Sequence, residues 1–492
     1  MTVHFPFHNT YAELPANFFV RVAPTPVTSP RLIKLNRPLA LHLGLDPDRL
    51  ASPEGTEILA GKQLPAGADP IAMAYAGHQF GQFVPQLGDG RAILLGEVID
   101  ADGVRRDIQL KGSGPTPFSR RGDGRAALGP VLREYIVSEA MAALGIPTTR
   151  SLAAVMTGEN VLRETELPGA ILTRVASSHV RVGTFQYLAA RGDTDGVRKL
   201  ADHVIARHYP QAAKAERPYR AFLEGVIARQ AELVARWLLV GFIHGVMNTD
   251  NTSISGETID YGPCAFMDDY DPATVFSSID EFGRYAYANQ PRIALWNLTR
   301  LAECLLPLLS DEQEKAIDDA QSALAEFAEV FNAAYQAGLR SKLGLSTARD
   351  GDHALAQDLL DTMAKNQADF TLTFRRLSDA ALGPDHDGSV RELFADPNAY
   401  DEWVARWRRR IADEPLDPAG RQKAMLSINP LFIPRNHRVE AVIEAAVNND
   451  DFAPFEELLT VLSKPYEDQP AFAEYAQPPQ PDQRVLQTFC GT

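Results

Sequence analysis

The sequence has few cysteines, fewer basic than acidic side chains and no long apolar run. Three of 492 residues are cysteine, too few for a disulfide-stapled scaffold. The 48 Lys and Arg against 64 Asp and Glu give a net charge of −16, which disfavours nucleic acid and anionic membranes as partners. No stretch approaches the roughly 18 apolar residues of a membrane span, and the start, MTVHFPFHNTYAELP, lacks a signal-peptide pattern. We therefore expect a cytoplasmic protein.

The predicted elements place a β-rich part before a mostly helical part. Residues 1–70 predict an N-terminal extension that wraps the core, with a short helix near 33–43. Strand-like runs at 92–97 and 107–110 and a helix over 129–144 follow within residues 71–180. Residues 181–290 continue with helices and polar loops, residues 291–463 predict helices throughout, and residues 464–492 predict a surface tail. Helices are expected at 294–308, 312–340, 353–378, 399–412, 436–447 and 452–463.

The segment HGVMNTDNTSISGETIDYG, residues 244–262, carries the strongest chemical signal. Asn251 and Asp260 are nine residues apart, and a predicted hairpin that turns at Ser255-Gly256 would bring both side-chain oxygens to one Mg²⁺. Protein kinases arrange a catalytic-loop Asn, two short strands and an Asp-Phe-Gly triplet in this way. The alternative is a polar loop with ordinary turn formers.

The same segment departs from a kinase at one position. Val246 stands five residues before Asn251, where a kinase has its catalytic Asp, and valine cannot accept a proton. Either the protein is catalytically inactive or another base serves, and Asp250 is the nearest candidate.

The upstream half offers a second pair of charged residues. Lys111 ends a strand-like run, and Glu134 follows 23 residues later on the predicted helix. A strand lysine paired with a helix glutamate holds ATP phosphates in kinases. Glu139 lies five residues further along and points away from the face of Glu134. The alternative for Lys111 is a solvated strand end.

Glycines and arginines cluster around this lysine, in LGDGRAILLGE and KGSGPTPFSRRGDGRAALG. Such glycines let a backbone approach an anion, and the arginines can donate to phosphate oxygens. Hairpin turns use the same residues, so each Gly-x-Gly is weak evidence alone. Arg174 and Arg181 are either further phosphate donors or surface charges, and His78 fits a structural role better than a ligand or base. The cluster comprises Gly88, Gly90, Arg91, Gly112, Gly114, Arg120, Arg121, Gly122, Gly124 and Arg125.

Several long motifs resemble the selenoprotein O family. They are YAGHQFGQFVPQLGDGRA, QLKGSGPTPFSRRGDGRA, REYIVSEAM, HGVMNTDNTSI and DYGPCAFMDDYDP. The resemblance implies an α+β, protein-kinase-like, two-lobed fold with a β-rich N-lobe, a helical C-lobe and an extra helical C-terminal region. It also implies a protein adenylyltransferase that moves AMP from ATP, with UTP as a second donor, to Ser, Thr or Tyr hydroxyls, including its own. A kinase that transfers the γ-phosphate and a non-catalytic nucleotide-binding scaffold are the alternatives.

The resemblance also implies roles for individual residues. The nucleotide lies reversed in the cleft, Glu134 pairs with Lys111, Asn251 and Asp260 hold Mg²⁺ or Mn²⁺, and Asp250 is the general base. Asp260 also contacts the nucleotide. The remaining residues expected around the nucleotide are Gly88, Gly90, Arg91, Lys111, Asp123, Gly124, Arg174 and Arg181.

Cys490 matches a redox-active cysteine near the C-terminus of family members. Some relatives pair it with a cysteine after the metal-binding Asp, but residues 274–277 read Thr-Val-Phe-Ser here. We therefore do not expect that disulfide, and Cys264 is the alternative partner.

Overall fold

The structure is a computed structural model, and it describes residues 3–489. Helices outnumber strands, and most helices follow the last strand of the main sheet. The strands are Phe19–Arg21 (β1), Arg31–Leu35 (β2), Ile71–Met73 (β3), Gly77–Gln79 (β4), Gln82–Val84 (β5), Ala92–Ile99 (β6), Arg105–Lys111 (β7), Ala126–Ala127 (β8), Arg150–Leu162 (β9), Glu166–Ala176 (β10), Phe242–Ile243 (β11) and Ala265–Phe266 (β12). The helices are Arg37–His42 (α1), Pro47–Leu50 (α2), Pro53–Leu59 (α3), Leu128–Ala143 (α4), Val182–Ala189 (α5), Thr194–His208 (α6), Pro218–Leu239 (α7), Gln290–Leu309 (α8), Gln313–Lys342 (α9), Asp352–Asn366 (α10), Phe370–Ala380 (α11), Gly388–Arg391 (α12), Pro397–Ile411 (α13), Pro418–Leu426 (α14), Asn436–Asn449 (α15) and Ala453–Leu462 (α16).

One antiparallel sheet forms the β-rich part of the chain. Its strands lie in the order β1-β3-β6-β7-β10-β9-β2, and β8 pairs with β10. The hairpin of β6 and β7 turns at Asp100–Gly103, where Gly103 N donates to Asp100 O over 3.0 Å. The strands predicted at 92–97 and 107–110 and the helix predicted at 129–144 are confirmed, as is a mixed fold of an antiparallel sheet and many helices.

The two faces of the sheet are covered by different parts of the chain. Apolar side chains of β6, β7, β9 and β10, among them Ile108 and Val155, pack with α1–α3. The opposite face, with Ala170 and Leu172, packs against α4 and then against α15 and α16. The end of the chain therefore folds back onto the helix that carries Glu134.

A second layer of packing surrounds α7. Phe222, Val226 and Val234 of α7 are buried with side chains of α5, α6, α8 and α9. The helices from α10 to α14 form a separate cluster around Trp403 and Trp407. Within residues 3–489, none of the helices combines the length and apolar character that a bilayer crossing requires.

Three local predictions were wrong. The helix expected near 33–43 begins only at Arg37, because Ile33 lies in β2 and Asn36 caps α1 by accepting from Leu39 N over 3.1 Å. The helix expected over 353–378 is two helices: Gln367 has a left-handed backbone, with φ of 51°, and Asp369 caps the second.

The third correction concerns the segment between Asn251 and Asp260. A turn forms there, with Gly256 N donating to Ser253 O over 3.4 Å, but its arms do not make the expected β-hairpin. Ser253 pairs with Arg181 and Thr258 pairs with Thr148. The arms thus bond outward to neighbouring segments instead of to each other.

Candidate active site

Four charged side chains from four separate segments meet at the end of β7. Lys111 Nζ lies 2.5 Å from Glu134 Oε2 and 3.6 Å from Asp260 Oδ1. Arg174 hydrogen-bonds Glu134 through two nitrogens, and its NH2 lies 3.2 Å from Asp260 Oδ1. Two carboxylates and two cations therefore alternate in one buried cluster.

The sheet and α4 determine this meeting point. Lys111 is the last residue of β7 and pairs with Leu172 of β10, two residues before Arg174. Residues two apart on a strand share one face, and α4 packs on that face. Glu134 therefore points from α4 toward the strand ends.

Burial and charge act in opposite directions on these groups. Burial would raise the pKa of Asp260, but the charges of Lys111, Arg174 and Arg91 outweigh it and hold that pKa well below its usual range. Burial, opposed by Glu134, lowers the pKa of Lys111. Burial likewise works to raise the pKa of Glu134, yet Arg174 and Lys111 lower it. Both carboxylates are therefore ionised near neutral pH.

Asp250 lies beside this cluster and has its own set of hydrogen-bond partners. Gln79 Nε2 donates to its Oδ2 over 3.2 Å, and Arg181 NH1 donates to its main-chain oxygen over 3.1 Å. Its Oδ1 is buried without a hydrogen-bond partner. A Cβ at Gly77 would lie 2.6 Å from that oxygen, so only glycine permits this close approach. Burial raises the pKa of Asp250 to about 6.

A hairpin from the β-rich part holds the loop that contains Asp250. His78 N, in the middle of β4, donates to Thr249 Oγ1 over 2.7 Å, and Phe80 N, just after β4, donates to Asn248 Oδ1 over 3.0 Å. His78 itself hydrogen-bonds Gln186 at 2.8 Å. The structure therefore places His78 in a supporting network beside the loop.

The oxygen donors available for a divalent ion come from the same loop and from Asp260. Asn251 Nδ2 donates to Val246 O over 3.0 Å. Because this bond uses the amide nitrogen of Asn251, the amide oxygen points to the other side. Asp260 adopts a left-handed backbone, with φ of 67°, a strained conformation that functional sites often retain. Amide and carboxylate oxygens suit Mg²⁺ or Mn²⁺.

Within residues 3–489, the side chains grouped closely enough to hold a metal ion lie elsewhere. His42, Asp100 and Asp102 offer ligand atoms within 4.8 Å of one another. The buried carboxylate of Asp100 already pairs with Arg106 at 2.8 Å, so this group is part of an ion network.

The glycine-rich loops lie against each other near Lys111. Gly112 N donates to Arg91 O over 2.7 Å, and Gly114 N donates to Gly124 O over 3.0 Å. Gly124 has φ of 65°, and a Cβ there would lie 2.1 Å from Gly114 O. The second loop thus requires glycine at position 124, where its two ends lie against each other, and Gly112 joins it to the first loop.

The other residues predicted around the nucleotide already make contacts within the protein. Asp123 pairs with Arg163 at 2.8 Å and accepts from Arg125 N over 2.9 Å, so its carboxylate holds the loop in shape. Gly88 and Gly90 lie in the preceding loop, against Phe118. Arg181 lies 4.3 Å from the ring centre of Tyr75.

Sequence reasoning missed several supporting residues. Asp89 is buried, lies 3.8 Å from Arg181 and accepts from Gln109 over 3.3 Å. Gln79 and Asn248, which hold the Asp250 loop, were also not predicted. Their only sequence signal is a position within the same polar motifs as the predicted residues.

The two cysteines of the described chain are both buried and free. Burial raises the pKa of Cys264 to about 12. The C-terminal tail reaches this region, since Thr488 Oγ1 donates to Pro263 O over 2.6 Å. Cys490, the predicted redox residue, lies outside the described residues.

Comparison with known proteins gives one consistent family. A family model described as "Protein adenylyltransferase SelO" matches residues 2–463. A protein of Bradyrhizobium diazoefficiens named protein nucleotidyltransferase YdiU is 78% identical over 492 residues, covering all of both chains. Proteins of the same name from a Bradyrhizobium species and Rhodopseudomonas palustris are 75% and 74% identical over the same full length. The chain therefore belongs to the SelO family of protein adenylyltransferases and is an enzyme of the nucleotidyltransferase class.

Proposed function

We propose that this enzyme transfers AMP from ATP to Ser, Thr or Tyr hydroxyls of proteins and releases pyrophosphate. The observation that carries the proposal is the buried cluster of Lys111, Glu134, Arg174 and Asp260 beside the partly unpartnered carboxylate of Asp250. Lysine and arginine side chains beside a carboxylate with one unpartnered oxygen suit transfer of a phosphorus group to a hydroxyl. UTP is the second donor we propose, and the enzyme itself is one acceptor.

The proposed nucleotide site comprises the buried charged cluster and the two glycine-rich loops near Lys111. Lys111 and Arg174 meet phosphate oxygens, and Glu134 holds both cations in place. Arg181 is buried and lies beside the Asp250 loop, so it adds a further charge there. The glycine-rich loops give the backbone access to the phosphates. Their residues, with the others proposed to surround the nucleotide, are Gly88, Gly90, Arg91, Asp123, Gly124 and Asp260.

Asn251 and Asp260 would hold the divalent ion, Mg²⁺ or Mn²⁺. When bound, the ion supplies positive charge that neutralises the phosphate oxygens. The oxygens of these two residues are hard donors of the kind such ions prefer. Lys111 and Arg174 hold Asp260 ionised, as its depressed pKa indicates, so its carboxylate is ready to bind a cation.

Asp250 serves as general base in this proposal. Its Oδ1 has no hydrogen-bond partner, whereas Val246 at the kinase position has no group that accepts a proton. The acceptor hydroxyl gives its proton to Asp250 as its oxygen bonds the α-phosphorus. The bond from that phosphorus to the bridging oxygen of the β-phosphate breaks, and pyrophosphate leaves. Lys111 and the arginines meet the charge on the leaving group.

The architecture we propose for this reaction is a kinase-like pair of lobes with the nucleotide reversed. Residues 71–180 form the N-lobe and residues 181–290 the C-lobe, with the site at their junction. Residues 1–70 wrap the core, and residues 291–463 add a helical region before the tail of 464–492. The central strands of the main sheet, α4 and the helices after β10 support this division, and β1 and β2 of residues 1–70 add the two edge strands of that sheet. Because cysteine is scarce in the chain, we propose that the reaction takes place in the cytoplasm.

The position of the label decides between this function and its alternatives. The enzyme is incubated with Mg²⁺ and ATP labelled at either the α- or the γ-phosphate, and the protein is examined by mass spectrometry. We expect label only from the α-position and an added mass of AMP. Label from the γ-position identifies a kinase. No label from either, together with a thermal shift on ATP addition, identifies the non-catalytic scaffold that Val246 favours.

Two substitutions separate the proposed base from the proposed metal ligand. Asp250→Asn keeps the shape of the side chain, and we expect it to abolish labelling while the enzyme still binds ATP. Asp260→Ala should also lose the metal-dependent part of ATP binding. A near-normal labelling rate in Asp250→Asn would show that another group accepts the proton.

A further inference from the structure

Large apolar side chains are exposed on one side of the candidate active site. Phe282 is 96% exposed, Ile279 is 58% exposed and Phe83 is 41% exposed. Solvated phenylalanines that lie near one another commonly mark a surface that binds another molecule. Phe83 lies on β5, and the other two lie in the segment between β12 and α8.

The turn that carries Phe282 is held by specific hydrogen bonds. The buried carboxylate of Asp280 accepts from Arg284 N over 2.9 Å and from Tyr285 N over 2.8 Å. Asn289 Nδ2 donates to Gly283 O over 2.9 Å. These bonds fix the turn from both sides, so Phe282 is held outward by a structured segment.

This turn is joined directly to the loop that contains Asp250. Tyr285 OH donates to Asn248 Oδ1 over 2.5 Å. Phe80 N donates to the same amide oxygen, and the rings of Phe80 and Tyr285 lie 5.1 Å apart. Asn248 is two residues before Asp250, so the exposed turn lies at the edge of the proposed reaction centre.

Aromatic rings and one guanidinium connect the turn to β5. Arg284 lies 4.9 Å from the ring centre of Trp296. His78 lies 5.2 Å from Trp296 and 4.9 Å from Phe83. We call Phe83, His78, Trp296, Arg284 and Phe282 the acceptor face.

The acceptor face carries a positive charge that lies against two aromatic rings. Within residues 3–489, Arg284 contacts the rings of Tyr285 and Trp296 and pairs with no carboxylate. A guanidinium of this kind favours a carboxylate from a partner, while the flanking rings favour an apolar side chain.

We propose that the acceptor face binds the part of a protein substrate that flanks the acceptor hydroxyl. An apolar side chain of that segment packs on Phe282 and Phe83, and an acidic side chain pairs with Arg284. The hydroxyl then reaches Asp250 past Gln79, whose side chain already contacts that carboxylate. This inference rests on the proposed function and names its substrate class: apolar and acidic segments around a hydroxyl.

Synthetic peptides with one central Ser test the acceptor face directly. One peptide has Phe and Glu as neighbours of the Ser, the second has Phe and Lys, and the third has Ala and Glu. Each is incubated with Mg²⁺ and α-labelled ATP, and kcat/KM for label transfer is compared. We expect the Phe and Glu peptide to exceed each of the others by about tenfold, equivalent to about 1.4 kcal/mol.

Variants then assign the preference to particular residues. Arg284→Glu should reverse the order of the Glu and Lys peptides, and Phe282→Ser should remove the preference for Phe over Ala. Leu41→Ser is the matched control, since Leu41 is 62% exposed on α1. Arg284→Gln should abolish the Glu preference without reversing it, and the thermal shift with ATP checks that each variant folds.

Failure of this inference can be told apart from failure of the proposed function. Equal labelling of all three peptides, or no peptide labelling by an enzyme that labels itself, overturns the acceptor face alone. An unchanged peptide order in Arg284→Glu does the same. If neither enzyme nor peptide receives AMP, the proposed function fails and this inference fails with it.

Discussion

Gln79 and Asp250 are joined by a hydrogen bond of 3.2 Å between the side-chain amide and Oδ2. Gln79 ends β4, in the β-rich part of the chain, whereas Asp250 follows the long helix α7. The bond leaves the other oxygen of Asp250 without a partner. The hairpin of β4 and β5 therefore orients the proposed base and keeps one of its oxygens free for an acceptor.

Replacing Gln79 tests this orientation. Gln79→Leu removes the donor, and we expect kcat for AMP transfer to fall about tenfold, the effect of losing one hydrogen bond to a charged group. The KM for ATP should stay the same, because Gln79 touches the base and not the phosphate cluster. Gln82→Leu, at the exposed partner position of the hairpin, is the control. An equal rise in KM for both variants would instead indicate a general loosening of the hairpin.

Replacing Glu134 tests the balance of charge in the cluster. Glu134 is 1% exposed and contacts both Lys111 and Arg174. Glu134→Gln leaves two buried cations with Asp260 as their one shared carboxylate, and we expect the free energy of unfolding to fall by about 3 kcal/mol. Urea denaturation followed by tryptophan fluorescence measures this change.

The control for Glu134 is a glutamate in an exposed ion pair. Glu467 lies 3.1 Å from Lys464, and the two side chains are 63% and 60% exposed. Because water screens an exposed pair, Glu467→Gln should lower the free energy of unfolding by less than about 1 kcal/mol. Similar losses in the two variants would mean that the buried cluster adds no special stability.

Local patterns were enough to predict much of the β-rich part. Strand-like runs predicted β6 and β7, and a helical pattern over 129–144 predicted α4. Those signals arise from neighbours in the chain. The break at Gln367 was missed because the local sequence does not distinguish a glutamine with a left-handed backbone from one inside a continuous helix.

The site divides in the same way. Lys111, Glu134 and Asp260 belong to motifs whose spacing is typical of nucleotide and metal binding, so they could be predicted from the sequence. Gln79 and Asp89 act through contacts with Asp250 and Arg181 that are distant in sequence. The packing of α15 and α16 on α4 is equally non-local, and one sequence does not encode such pairings in any periodic pattern.

Replacing Gly124 tests whether the close contact between the two ends of the loop at residues 112–125 matters for nucleotide binding. A Cβ at Gly124 would lie 2.1 Å from Gly114 O, so Gly124→Ala must push the two ends of this loop apart. We expect Kd for ATP to rise about tenfold, as measured by calorimetry. Gly103→Ala is the matched control, because Gly103 also has a positive φ, of 77°, but no atom lies within 4 Å of its added Cβ. Equal Kd values in the two variants would separate nucleotide binding from the shape of this loop.

Two histidines of α6 predict how stability depends on pH. Burial, reinforced by the charge of Arg207, lowers the pKa of His203 to about 4 and that of His208 to about 3. An unfolded histidine has a pKa near 6.5, so the unfolded chain gains protons first as the pH falls. The stabilising effect of neutral histidine is therefore complete above pH 6.5 and is lost between about pH 6.5 and 4.

His203→Phe isolates one of these contributions. Phenylalanine keeps a ring against Tyr11, which His203 meets edge-on at 5.7 Å between ring centres, but it cannot take up a proton. Between pH 8 and pH 5 we expect the wild type to lose about 2 kcal/mol more stability than the variant. The reason is that the pKa of His203 is about 4 in the folded enzyme and about 6.5 in the unfolded chain. Urea midpoints at pH 8, 6 and 5 measure this difference, with His386→Phe, at an exposed position, as the control. Parallel pH curves for the wild type and His203→Phe would mean that His203 takes up its proton without unfolding, and that the contacts around α6 and Tyr11 open to water in the folded enzyme.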